Sequence, residues 1–518
     1  MGPYLRRPRE KGETMKQTTR QDKPDLILIL VPLLLVAGMC LIFFIWPQSA
    51  TNTIGLIRRF LDHYFSAWYC LVGVGFFLCS MALAFSKIGS IRLGDSTKKP
   101  MSSFRWGCMV FTSTMAADIV FYALCEWALY IDDPFVTSHG DVQTWGATFP
   151  LFHWGPIAWS FYLVLAAAFG FMLYVRGRST RRMSEACRPI LGRHVDRGWG
   201  KLIDLLSIFA LLAGTATTFS LSVPLLSSAL GEIFGVSTGM ATAILVLAGI
   251  CTVYSLAVCL GMDAISRLST ICVWLFFALL AYVGLGGGKF IYILETGITA
   301  IGNLAQNFIG MSTQMDPLRE TAFPQNWTMY YWAYWMVWCV ATPFFIGQIS
   351  AGKTVRQVIL GGYAWGLAGT WLAFIVLGNY GMGLQLMDGM DISGSISAGE
   401  AISVVILEIL RSLPFSKVVM ILLVLSMVAF YATTFDALTL VAASYCCKSL
   451  GPEDLPTRKL RLFWAVMLIL FPIALMFSEG TMNNLQSVSL IAALPISLVL
   501  LLIAASFIKD SRAYLRGK

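Results

Sequence analysis

The stretch QNWTMYYWAYWMVW, Gln325 to Trp338, gathers seven aromatic rings on a segment apolar enough to enter a membrane. In a helix, Tyr331, Trp335 and Trp338 stand at i, i+4 and i+7 and share one face. The π-face of an aromatic ring is negative, and a desolvated cation over it gains about 2 kcal/mol or more. That chemistry suits a quaternary ammonium, which has no N–H and therefore no hydrogen bond to give. The alternative is an interfacial aromatic belt, common at helix ends but usually poorer in rings. A second cluster, LFHWGPIAWSFY from Leu151 to Tyr162, sets Trp154 and Trp159 five apart with Tyr162 three further on. Gly155 and Pro156 between them loosen the first helical turn and let backbone or ligand approach closely.

Ionisable groups in apolar sequence are the next signal. FTSTMAADIVFYALCEW, Phe111 to Trp127, carries Asp118 and Glu126 in an otherwise apolar run. An ionised group at membrane depth costs several kcal/mol unless it faces a partner or a water-filled cavity. Both therefore read as functional, the alternative being a packing carboxylate bonded to a neighbouring helix. Thr112, Ser113 and Thr114 ahead of them are poor helix formers, so this is the best candidate for a broken helix. Further along, Thr433 and Thr434 precede Asp436 in SMVAFYATTFDALTLVAASY. Hydroxyls and freed carbonyls suit a hard cation such as sodium. Alternatively, the hydroxyls bond back to their own helix.

These residues need a membrane scaffold to position them. Of 518 residues 57% are hydrophobic and 13% charged, and the mean hydropathy is +0.72. Soluble proteins carry about 25% charged residues, so the composition is that of an all-α polytopic membrane protein. Apolar runs of about 20 residues are needed to span a bilayer. Twelve are predicted: 26–46, 66–86, 104–131, 149–174, 202–223, 237–260, 268–287, 329–349, 357–384, 416–446, 460–478 and 485–508. The loop 175–201 is rich in Arg, whereas 131–148 has Asp132, Asp133 and Asp141 with no Lys or Arg. Placing both termini in the cytoplasm of a multi-pass cell-membrane protein puts most of the 37 Lys and Arg inside, as the positive-inside rule favours. The net charge of +9 is then topology information and implies no nucleic-acid partner.

The polar start of the chain is read as a cytoplasmic tail, 1–25, without a cleavable signal. The Cys occur singly apart from Cys446–Cys447, and the four His are dispersed. Neither a metal site nor a disulfide framework is expected, and no nucleophile–base pair argues for an enzyme. Amphipathic helices are expected at Tyr292–Met311 and Ser397–Ser412, one in each half, which hints at structural duplication.

At these motifs the chain resembles the betaine/choline/carnitine transporter family over all twelve runs. The residues that carry the resemblance are NWTMYYWAYWMVW followed by ISAGKTVRQ (Ile349 to Gln357), with FHWGPIAW and SFIKD (Ser506 to Asp510). The resemblance implies a leucine-transporter-like fold, often trimeric. Two peripheral helices and a loop (26–103) would precede two inverted five-helix repeats, 104–290 and 329–508. An amphipathic helix within 291–328 would join the repeats, and a short tail, 509–518, would close the chain. It also implies a carrier of a small trimethylammonium compound, coupled to an ion gradient. Trp154, Trp159, Tyr162 and Trp335 would form the aromatic box, and Tyr330, Tyr334 and Trp338 the cytoplasmic-side gate. Sodium would meet the carbonyls of Thr112, Met115 and Phe430 and the hydroxyls of Thr433 and Thr434.

Sodium-independent exchangers of the family carry an Arg and a Met where this chain has Cys272 and Thr342, so the resemblance favours ion coupling. Departures qualify it. A glycine-rich stretch is replaced by Thr114 to Asp118, and Asp118 resembles choline carriers coupled to protons. Asp118 would then join the substrate site, offsetting a cation's charge or carrying a proton. Tyr334 stands in place of a usual Trp, Gln348 and Ala351 in place of usual arginines, and the long tail of osmosensing members is not matched. Exchange without ion coupling, or a non-transporting ligand sensor, are the remaining alternatives.

Overall fold

The computed structural model describes residues 24–94, 100–112, 117–178, 180–260, 262–447, 455–476 and 482–517. Helices over the described residues are α1 (Leu26–Ile45), α2 (Pro47–Tyr64), α3 (Ser66–Phe85), α4 (Ser103–Thr112), α5 (Ala117–Cys125), α6 (Val142–His153) and α7 (Pro156–Tyr174). There follow α8 (Gly198–Phe234), α9 (Met240–Leu260), α10 (Met262–Gly286), α11 (Phe290–Thr313), α12 (Tyr330–Trp338) and α13 (Thr342–Ile349). The last are α14 (Val355–Ala373), α15 (Asn379–Asp388), α16 (Ile402–Arg411), α17 (Ser416–Cys446), α18 (Arg458–Met476) and α19 (Met482–Arg516). Among the described residues, seven segments are long and apolar enough to cross a membrane, eight if the bent pair α10–α11 is one span. The protein is a multi-pass, all-helical membrane protein.

Local sequence explains the breaks that shape the interior. Asp141 caps α6, accepting from Thr144 Oγ1 at 2.6 Å and Thr144 N at 2.9 Å, which holds its carboxyl below the usual range. Helix α6 thus starts before the run expected at 149–174, and it stops at His153 because Gly155 and Pro156 interrupt it. A Cβ at Gly155 would lie 2.4 Å from the Leu151 carbonyl oxygen, so only glycine fits this elbow. Pro156 then opens α7 at a position where its missing N–H costs nothing. Trp154 sits in the elbow itself.

The chain turns by 110° between α10 and α11, with Gly288 in the left-handed region at the bend. Helix α11 presents Ile291, Leu294, Ile298 and Ile309 outward and packs against α6 with its other face. It contains the amphipathic segment expected at Tyr292–Met311; α16 covers most of the second, at Ser397–Ser412.

The turn after α13 holds two loops together. Thr354 caps α14 in a reciprocal capping box with Gln357. Gly352 N donates to the Leu93 carbonyl at 2.6 Å and Val355 N to that of Ile91 at 2.9 Å. Ser350 accepts from Trp106 Nε1 at 3.0 Å, and Lys353 lies 5.0 Å over the Trp106 ring. Asp510, of the SFIKD segment, binds Arg176 at 2.7 Å and so ties α19 to the end of α7.

Candidate functional site

The buried centre of the molecule is aromatic. Helix α12 follows a π-helical turn, Pro324–Met329, and is buried from Tyr330 to Val337. It packs against α7, α8 and α19. Trp335 is the hub of the cluster. Its ring centroid lies 4.7 Å from Tyr162, 5.7 Å from Trp159 and 5.8 Å from Trp154, at interplanar angles of 52°, 55° and 69°. Trp159 and Tyr162 meet nearly edge to face at 5.9 Å. The rings pack directly on one another, tilted or edge to face, as aromatic clusters prefer. Four residues from two distant stretches therefore meet, the grouping that the family resemblance implies.

What holds the rings differs from one to the next. Trp159 Nε1 donates to Thr370 Oγ1 at a long 3.4 Å, and Gly366 gives its ring room. Trp154 Nε1 donates to Glu126 Oε2 at 2.8 Å. The Trp335 indole N–H is buried without a partner.

Glu126 is fully buried at the end of the α5 segment. Its Oε1 lies 2.9 Å from His153 Nδ1 and accepts from the Tyr130 hydroxyl at 3.1 Å. His153 Nε2 then meets Thr328 Oγ1 at 3.1 Å, in the turn that opens α12. Beyond His153, Phe135, Phe149, Phe323 and Tyr130 form an aromatic cap, with Phe135 and Phe323 stacked at 4.7 Å.

Asp118 lies at the start of α5, 5% exposed. Its Oδ2 accepts from the Tyr334 hydroxyl at 2.5 Å, and its Oδ1 has no hydrogen-bond partner among the described residues. Tyr334 stacks on Tyr330 at 5.8 Å, meets Trp154 at 6.4 Å and reaches Trp338 at 6.4 Å. Thr218 shares a further hydrogen bond with the Tyr334 hydroxyl. Tyr330 shares one of 2.9 Å with Tyr122. The residues expected to gate thus form one run of ring contacts along α12, and Tyr334 joins that run to Asp118.

The expected sodium ligands are described only in part. Met115 lies outside the described residues, and Thr112 is described only as the last residue of α4. In this conformation Thr433 Oγ1 donates to the carbonyls of Ala429 at 3.1 Å and Phe430 at 3.0 Å, as the self-bonding alternative requires. Of the two positions compared with the exchangers, Cys272 faces Thr433, and Thr342 faces the Tyr162 hydroxyl.

Several members of the site were not singled out from sequence. Tyr122 lies 5.7 Å from Trp154 and 5.4 Å from Tyr331, and Phe374 lies 5.3 Å from Trp154. Tyr122 lies four residues after Asp118, one helical turn, which is the signal that could have found it. Asp436 pairs with Arg461 of α18, whose side chain is buried. Neither sequence distance nor type announces that pair. Among the described residues no group of three or more His, Cys, Asp or Glu is placed to hold a metal.

Known proteins share this pattern over most of the chain. A probable glycine betaine transporter of Desulfitobacterium hafniense is 28% identical over 490 residues, covering 92% of this chain and 96% of that protein. A glycine betaine transporter of Acinetobacter baylyi is 29% identical over 489 residues, 93% of this chain and 72% of its own length. A carnitine transporter of Acinetobacter baumannii is 25% identical over 469 residues, 90% and 82% of the two. The model of the betaine/carnitine/choline family transporters matches residues 27–516. With its buried aromatic centre in an all-helical membrane bundle, this chain belongs to the betaine/carnitine/choline transporter family, whose members are transporters and not enzymes.

Proposed function

We propose that the protein takes up a small trimethylammonium compound, such as glycine betaine, choline or carnitine, by sodium-coupled secondary transport. The observation that carries the proposal is the set of three rings around Trp335, all within 6 Å of it. The names of its relatives point to the same head group. In this reading Trp154, Trp159, Tyr162 and Trp335 enclose the ammonium, and Tyr330, Tyr334 and Trp338 form the gate. Two inverted five-helix repeats rock against each other across twelve spans. The protein sits in the cell membrane with both termini cytoplasmic, as a homotrimer.

Sodium enters as a co-transported ion. The proposed donors, the carbonyls of Thr112, Met115 and Phe430 with the hydroxyls of Thr433 and Thr434, are all oxygen, as a hard cation requires. The Thr433 hydroxyl has to turn from its own helix, which frees the Phe430 carbonyl at the same time.

A second reading rests on Asp118. Its bond to Tyr334, whose ring meets Trp154, supports a carboxyl group near the box. A cation without its own carboxylate, such as choline, would be balanced there, with a proton as the coupling ion. Uptake of labelled glycine betaine, choline and carnitine into proteoliposomes, under imposed sodium or proton gradients or neither, separates the readings. Sodium-dependent betaine uptake supports the Thr433/Thr434 site; proton-driven choline uptake transfers the coupling to Asp118. Uptake only against internal substrate removes ion coupling altogether.

A further inference from the structure

We infer that Glu126 tunes Trp154 for cations, fixing the plane of its indole and enriching the ring face that the ammonium meets. The inference rests on the aromatic-box reading above. Of the three tryptophans in the box, only Trp154 gives its N–H to a carboxyl group, at 2.8 Å. Trp159 has a neutral hydroxyl at 3.4 Å and Trp335 has no partner.

The arrangement is built to keep Glu126 an acceptor. Its two oxygens meet an indole N–H, an imidazole nitrogen and a phenol, so all three neighbours can donate to it. His153 is braced in turn by Thr328 and stacks on Tyr331 at 4.8 Å, 22° from parallel. The residue before Trp154 therefore meets the carboxyl group directly, and the turn before α12 reaches it through His153. An acceptor on an indole N–H pushes electron density into the ring, and a charged acceptor does so most strongly in a buried, low-dielectric setting. The ring's quadrupole attraction for a cation rises accordingly. Glu126 does not reach into the ring cage itself. It acts through Trp154 and is a positioning residue.

The test compares a trimethylammonium ligand with its carbon isostere: glycine betaine against tert-butylacetate, and choline against the corresponding tert-butyl alcohol. Both members fill the same volume, and only one carries the positive charge. Equilibrium binding is measured to the purified full-length protein, wild type and Glu126→Gln. Glutamine keeps the shape and an oxygen acceptor but removes the charge. We expect the preference for the charged member to fall about fivefold to tenfold in Glu126→Gln, with isostere binding changed less than about twofold. Equal loss for both members, or an unchanged preference, overturns the inference. A wild type that binds both members equally overturns the box reading, and this inference with it.

If Glu126→Gln does not fold, the indole N–H resonance of Trp154 in nitrogen-15-labelled wild type decides the matter. It is identified by its loss in Trp154→Phe. A position downfield of the other indole signals is expected for a charge-assisted bond, and a position typical of a weakly bonded indole refutes it.

Discussion

Gly366 makes the geometry of the box testable without touching any of its rings. A Cβ at this position of α14 would stand 2.5 Å from Cη2 and Cζ2 of Trp159 and 2.6 Å from Cε2. Carbon atoms pack at about 3.5–4.0 Å, so in Gly366→Ala the indole must retreat by about 1 Å. It has little room, since Tyr162 and Trp335 flank it at 5.9 and 5.7 Å. Overpacking of this kind costs about 1–3 kcal/mol, while replacing an interior helical glycine by alanine returns about 1 kcal/mol. The net loss of stability is then about 0–2 kcal/mol, and the protein should still fold. A cation over a desolvated ring gains about 2 kcal/mol. Displacing one wall of four should forfeit on the order of 1 kcal/mol of this, about a fivefold to tenfold rise in Kd. Titration calorimetry with glycine betaine and a thermal melt in detergent measure the two effects. Gly302→Ala on α11, where an added Cβ meets nothing within 4 Å, is the control. Adding Trp159→Phe, which removes the crowded benzo ring, should recover the stability lost in Gly366→Ala but not the affinity. Unchanged affinity alongside a lowered melting temperature would show that Trp159 is packed there but never touched by the ligand.

Other expectations follow from the same geometry. Trp335→Leu removes the hub of the cluster and should weaken trimethylammonium binding by at least about 30-fold, on the order of 2 kcal/mol; wild-type affinity in a folded variant would remove the box. Asp118→Asn should weaken choline more than glycine betaine, by about tenfold in the ratio of their Kd values; an unaltered ratio excludes Asp118 from recognition. Thr433→Val should raise the sodium concentration that half-saturates betaine uptake, with substrate affinity at saturating sodium kept; an unmoved sodium curve refutes the ligand set. Arg461→Met leaves Asp436 without its partner and should destabilise the fold by about 3 kcal/mol. The double variant with Asp436→Leu should recover most of that in a denaturation series, and strictly additive losses would show that the pair does not interact.

How much of this was legible in the sequence depended on range. The rings of α12 announced themselves because helical period and residue type coincide within one turn or two. Trp154, Trp159 and Tyr162 were legible by residue type as a second cluster, their grouping with Trp335 came from the family resemblance, and Gly155–Pro156 marked the elbow between α6 and α7. Thr433 carried two readings, and its hydroxyl is seen on its own helix. Partners far apart in the chain were another matter. Glu126 could be singled out as a costly buried carboxyl group, but not joined to an indole 28 residues away. That pairing depends on how the loop 131–141 returns the chain. Arg461 looks from sequence like one more basic residue near a helix start, and only the packing of α18 on α17 makes it the counter-charge of Asp436. Gly366 is one glycine among 45, and the ring it accommodates lies on another helix.

The aromatic cap over His153 has a consequence for water. Phe135, Phe149 and Phe323 offer no hydrogen-bonding side-chain atom, and the hydroxyl of Tyr130 is already engaged by Glu126. A file of water threading between these rings would have to give up its own hydrogen bonds, and such constrictions dewet. In this conformation the cap opposes the passage of water between its rings. A proton hops along such a file of water, so the rings themselves offer it no path past His153.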